Sequence, residues 1–141
     1  MKKIISTTEA PAAIGPYSQA VRVGSLMFCA GQIPLDPKTG EIVSPDITEQ
    51  TRRVLDNISA ILKAEHLTMN NVVKTTVFLI DFGDFRKMNE VYATYFTGQT
   101  PARSTVGVST LPKNARIEIE VIAVADDREL PRGKSVGDTS G

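Results

Sequence analysis

The chain has 141 residues, 41% apolar and 23% charged, and its 16 basic and 16 acidic side chains cancel. That length and mix fit one folded domain and exclude the disordered and fibrous classes. Zero net charge argues against a nucleic-acid binder that works through a broad basic face, leaving only a local basic patch open, and no apolar run approaches the roughly 18–20 residues of a membrane span.

Lys2-Lys3 is followed by only Ile4-Ile5 before polar residues, far short of a signal-peptide apolar region. Cys29 is the single cysteine, so no internal disulfide can form, as expected of a reducing compartment. These features lead us to expect a cytoplasmic protein with no membrane partner. The chain also has one histidine, His66, so most standard catalytic constellations are out of reach. Any chemistry has to come from a guanidinium, a carboxylate, backbone groups and water.

Residues 2–6 read as a short strand, and residues 7–18, with Pro11, Gly15 and Pro16, as a loop ending at Tyr17. Residues 20–23 and 26–30, separated by Gly24-Ser25, read as a hairpin. Residues 31–41 carry Pro34, Pro37 and Gly40 and are expected to be an ordered turn region rather than strand. A first helix is well signalled: Asp46 as cap, Glu49 in the capping-box position, and Val54, Leu55, Ile58, Ile61 and Leu62 on one stripe, ending near His66. Residues 72–80 are β-branched and aromatic, which predicts a strand with both faces partly covered. A second helix follows from about Asp84, with Phe85, Met88, Tyr92 and Phe96 at helical spacing and Gly98 where it would stop. Residues 103–108 and 115–125 read as strands joined by a turn around Pro112. The fold class is therefore α+β, a sheet covered on one face by two helices. Residues 1–125 form the domain, and residues 126–141 read as a polar, mobile tail.

The last strand has apolar residues on both faces. Ile117, Ile119, Val121 and Ala123 point one way, while Arg116, Glu118, Glu120, Ile122 and Val124 are assigned to the other. Two helices cannot cover both faces, so the second is expected to pack on another subunit. Treating the last two strands as an antiparallel hairpin puts Arg103 opposite Glu120 and Thr105 opposite Glu118. All four would then share one face, provided the register is right. One reading of that patch is a cross-strand salt bridge with a glutamate facing water. The other is a recess in which an arginine fork grips a small carboxylate. His66 reads as a helix-terminus residue and Cys29 as core filler. No G-x-G-x-x-G, P-loop, HExxH or CxxC occurs, so no cofactor or metal is expected.

Residues 10–19 (Ala-Pro-Ala-Ala-Ile-Gly-Pro-Tyr-Ser-Gln), Gly31-Gln32-Ile33-Pro34, Val73-Lys74-Thr75-Thr76-Val77-Phe78, Pro101-Ala102-Arg103-Ser104, Leu111-Pro112-Lys113 and Ile117-Glu118-Ile119-Glu120 occur in order at family-like spacing. Together they closely resemble the RidA/YjgF family, the reactive-intermediate deaminases. The resemblance implies a chorismate-mutase-like α+β fold, a homotrimer with small-molecule clefts between subunits, and hydrolysis of 2-iminobutanoate and 2-iminopropanoate to 2-keto acids and ammonia. It also implies that Arg103 binds the substrate carboxylate, that Glu118 orients water, and that Tyr17, Gly31, Asn89 and Thr105 line the same cleft. Glu120 is expected to support Arg103 or Arg116. Two departures stand out: Thr105 where many members have cysteine, and Ala30 where many have serine. A non-catalytic trimer that binds small carboxylates, and a ribonuclease or translation inhibitor, are the competing classes.

Overall fold

In a computed structural model, residues 1–125 are described. The expected polar tail, residues 126–141, lies outside them. The elements are β1 (Lys2–Ile5), β2 (Ala20–Val23), β3 (Leu26–Gln32), α1 (Ile47–Lys63), β4 (Val72–Leu79), α2 (Phe85–Tyr95), β5 (Ala102–Gly107) and β6 (Ile117–Val124). One six-stranded sheet has the order β1-β2-β3-β6-β4-β5, with α1 packed on β3, β6 and α2. This is the expected α+β arrangement.

The five stripe residues of α1, Val54, Leu55, Ile58, Ile61 and Leu62, are wholly buried. They meet the inward residues of the sheet, including Met27, Val77, Leu79, Ile117 and Ile119. Each such side chain contributes roughly 1.5–3 kcal/mol through burial, so this layer dominates the stability of the fold. Asp46 caps α1 by accepting the Glu49 N–H at 3.0 Å. Glu49 does not reciprocate. Its carboxylate takes Arg52, and Ser44 Oγ accepts the Asp46 N–H at 3.0 Å. The helix ends at Lys63, and His66 follows in the left-handed region (φ 59°) as its terminating residue.

Two expectations are corrected. Residues 31 and 32 belong to β3, which runs through Gly31 to Gln32 before the turn region begins. More important, β5 and β6 are not a hairpin. β5 pairs in parallel with β4, and β6 lies antiparallel between β3 and β4. The route from β4 to β5 passes through α2, and such a crossover is what parallel neighbours require. The physical reason lies in the strands themselves. The six residues of β5 are mostly exposed, as suits an edge. The eight of β6 are buried at every second position and need partners on both sides.

The alternation on β6 is as expected for its apolar residues: Ile117, Ile119, Val121 and Ala123 are buried under the helices. Glu118, Glu120, Ile122 and Val124 lie on the open face. Phe28 and Val21 share that face, since each pairs in register with an open-face neighbour, and Phe28 is 43% exposed. Arg116 is not part of it. It reaches Asp84 below the sheet end at 2.7 Å and the Pro45 carbonyl at 2.9 Å.

Candidate functional site

Glu118 is half-buried on the open face of β6, at a cavity of about 270 Å³. Its carboxylate lies directly against Gly31 of β3, where a Cβ would collide with Oε2 and the carboxyl carbon. Gly31 is thus required by close approach rather than by backbone angle. Burial, reinforced by the negative charge of Glu120, pushes the Glu118 carboxyl above its ordinary range. The opposite wall is the segment from Pro11 to Tyr17, with Leu35 and Pro112 nearby. In that segment Gly15 adopts φ 123°, which a side chain would strain, and its carbonyl accepts the Tyr17 N–H at 2.9 Å. A second recess of about 410 Å³ behind the Tyr17 segment is lined by no charged side chain.

Arg103 belongs to a different surface. It pairs in register with Thr75, whose buried side chain meets Tyr92 Oη of α2 at 2.8 Å, so it points toward the helix side of the sheet. Its guanidinium carbon lies 4.7 Å from the Tyr92 ring centre and 5.5 Å from that of Phe85. Such faces attract a cation and hold its fork flat. Arg103 Nη1 donates to Asn89 Oδ1 at 2.6 Å. Asn89 is neutral, so the guanidinium has no carboxylate partner among the described residues and retains donors for one. Thr105, two residues on, has a buried hydroxyl with no hydrogen-bond partner among the described residues.

The structure therefore brings the expected site residues together as two groups, not one. Tyr17, Gly31 and Glu118 share the cavity. Asn89, Arg103 and Thr105 share the α2 side of β5. Arg103 and Glu118 lie on opposite faces, with β4 between their strands, and in register with different β4 residues, Thr75 and Phe78. This overturns the shared hairpin patch. It also separates Glu120 from its two expected partners, because Arg103 bonds Asn89 and Arg116 bonds Asp84. Cys29 is buried, and burial pushes its thiol up to about 12, as befits core filler rather than a nucleophile. Phe85 and Tyr92, which the sequence marks only by their helical spacing, also cradle Arg103.

Residues 7–125 match the endoribonuclease L-PSP family, the group also called RidA/YjgF. The chain belongs to this family. A RutC family protein of Pyrococcus horikoshii is 60% identical over 123 residues, covering 87% of this chain and 98% of the relative. A mouse protein named 2-iminobutanoate/2-iminopropanoate deaminase is 52% identical over 124 residues, covering 88% and 92%. The crystal structure of Escherichia coli TdcF with bound serine superposes with a TM-score of 0.85 at 47% identity, covering 88% of this chain and 99% of TdcF. The family match thus takes in every element from β2 to β6, with relatives named as imine deaminases at about half identity.

Proposed function

We propose that this RidA-family chain is a hydrolytic deaminase of small 2-imino acids, such as 2-iminobutanoate and 2-iminopropanoate, acting in the cytoplasm without a cofactor. The observation that carries the proposal is Glu118: a half-desolvated carboxylate lodged against a glycine in a cavity, with its proton affinity raised. A base whose pKa lies nearer neutrality is a better proton acceptor at working pH. The imine substrate is already electrophilic, so the site needs positioning and one base rather than a nucleophile.

Arg103 grips the substrate carboxylate through its fork, steadied by Asn89 and the two rings. Glu118 takes a proton from water as the oxygen bonds to C2, and the C=N double bond becomes a C–N single bond. Glu118 returns that proton to the carbinolamine nitrogen, which leaves as ammonia while the hydroxyl gives its own proton to the freed Glu118 carboxylate and its oxygen becomes the ketone of a 2-keto acid. Tyr17 and Gly31 shape the cavity around this centre, and Thr105 offers its hydroxyl beside Arg103. Because Arg103 and Glu118 face opposite sides of one sheet, one substrate meets both only if they come from different subunits. The uncovered apolar face gives a physical reason for assembly, and the family resemblance supports a homotrimer.

The test couples purified protein to a threonine dehydratase and follows decay of the released imine. Acceleration by wild type, lost in Arg103→Ala, supports the reading. Acceleration retained in Arg103→Ala overturns it. Saturable binding of 2-ketobutanoate without faster decay would favour a binding role instead, consistent with serine in TdcF. The ribonuclease of the family's name has no support from this chain's zero net charge.

A further inference from the structure

Between Thr7 and Tyr17 the chain forms no regular element. Among the described residues, the main chain of residues 7–16 makes no backbone hydrogen bond to the body of the fold. Gln19 supplies those bonds from its side chain. It is 4% exposed. Its Oε1 accepts the Thr7 N–H at 2.7 Å, and its Nε2 donates to the carbonyl oxygens of Thr7 at 3.0 Å, Ala10 at 3.3 Å and Pro11 at 2.8 Å. Its own backbone carbonyl accepts the Ala30 N–H at 2.9 Å, one residue before Gly31. A single residue therefore joins the segment that becomes the Tyr17 wall to the strand against which Glu118 rests.

We propose that Gln19 is a positioning residue that seats the residue 7–17 segment over the Glu118 cavity, so that losing its amide lets the Tyr17 wall move away from the carboxylate. The consequence for turnover rests on the deaminase reading above; the tether itself does not. A neutral amide suits the task because three carbonyl oxygens and one N–H converge on it. It offers donors and an acceptor together, and it avoids placing a buried charge there.

Two variants test this. Gln19→Leu keeps size and removes every bond. Gln19→Glu keeps the acceptor but can donate only while its carboxyl is protonated. Ionisation beside three carbonyl oxygens is disfavoured, so the introduced carboxyl titrates above the ordinary range. Its seating is present at low pH and is lost as pH rises.

In native-state digestion with chymotrypsin well below the melting temperature of both proteins, cleavage after Tyr17 is expected to be about tenfold faster in Gln19→Leu than in wild type. For imine hydrolysis, kcat/KM of Gln19→Leu is expected to be at least about tenfold lower at every pH. The ratio of Gln19→Glu to wild type is expected to fall by about the same factor between pH 5 and pH 8. Wild-type cleavage at Tyr17 in Gln19→Leu, or a flat ratio for Gln19→Glu, overturns the proposal. If wild type itself fails to hasten imine decay, the deaminase reading falls and the digestion alone decides the tether. Should Gln19→Leu not fold, digestion of Gln19→Glu at pH 5 and pH 8 decides it, with pH-independent cleavage as the overturning result.

Discussion

At Gly31 a missing side chain makes room for the Glu118 carboxylate. Because the colliding atoms are the far end of a flexible side chain, Gly31→Ala is expected to leave the melting temperature nearly unchanged. It should lower kcat/KM for imine hydrolysis by about tenfold to a hundredfold as the carboxylate is displaced. Glu118 itself separates stability from activity. Its carboxyl is raised in the folded state, so the folded chain holds that proton more tightly than the unfolded one. Its contribution to stability is complete below the ordinary carboxylate range and is lost as pH rises through the raised value. Glu118→Gln should therefore melt no lower than wild type at pH 7, with any advantage vanishing near pH 4, while turnover falls about 10²–10⁴-fold. Glu120 raises the Glu118 carboxyl by charge repulsion. Glu120→Gln is expected to move the acid limb of the kcat/KM profile to lower pH. An unmoved limb would mean that Glu118 does not carry it.

At the scale of elements, the Asp84–Arg116 pair links the start of α2 to the start of β6. Asp84 is 7% exposed, and Arg116 also bonds the Pro45 carbonyl while its N–H donates to Gln50 Oε1. Arg116→Ala leaves a buried carboxylate without its counter-charge and should cost about 3 kcal/mol in urea denaturation. A loss under 1 kcal/mol would show that water reaches Asp84 and replaces the arginine. Most elements were legible because their signals are local: the α1 stripe, the Asp46 cap, the Gly24-Ser25 turn and the alternation of β6. The neighbours of β5 were not legible. Two strands separated by a short Pro-containing link look like a hairpin in one dimension, and only competition for β4 shows otherwise. Parallel pairing through α2 places β5 on one side of β4, and β6, which needs two partners, takes the other. The end of β3 was missed for a related reason. Gly31 and Gln32 read as turn residues, yet they extend a strand paired with β6.

Across the whole molecule, the sheet leaves Phe28, Val21, Ile122 and Val124 facing away from both helices. If copies of the chain cover that face and complete the site, two inactive variants should repair each other. Arg103→Ala and Glu118→Gln, unfolded together, mixed in equal amounts and reassembled, should form intact Arg103–Glu118 combinations at about one quarter of the sites. Recovery of roughly a quarter of wild-type imine hydrolysis is expected. No recovery from well-folded mixed assemblies would show that both residues act from one subunit.

By itself the sequence determined the fold class, the two helices and the family, because periodicity, caps and ordered motifs depend on neighbours along the chain. It also singled out Arg103 and Glu118 as the charges worth explaining. The tertiary structure decided where those charges stand. Side chains alternate between faces at every residue, so strand order and register set which groups can meet. With β4 between them, the guanidinium and the carboxylate that seemed to be partners in a hairpin lie on opposite sides of the sheet.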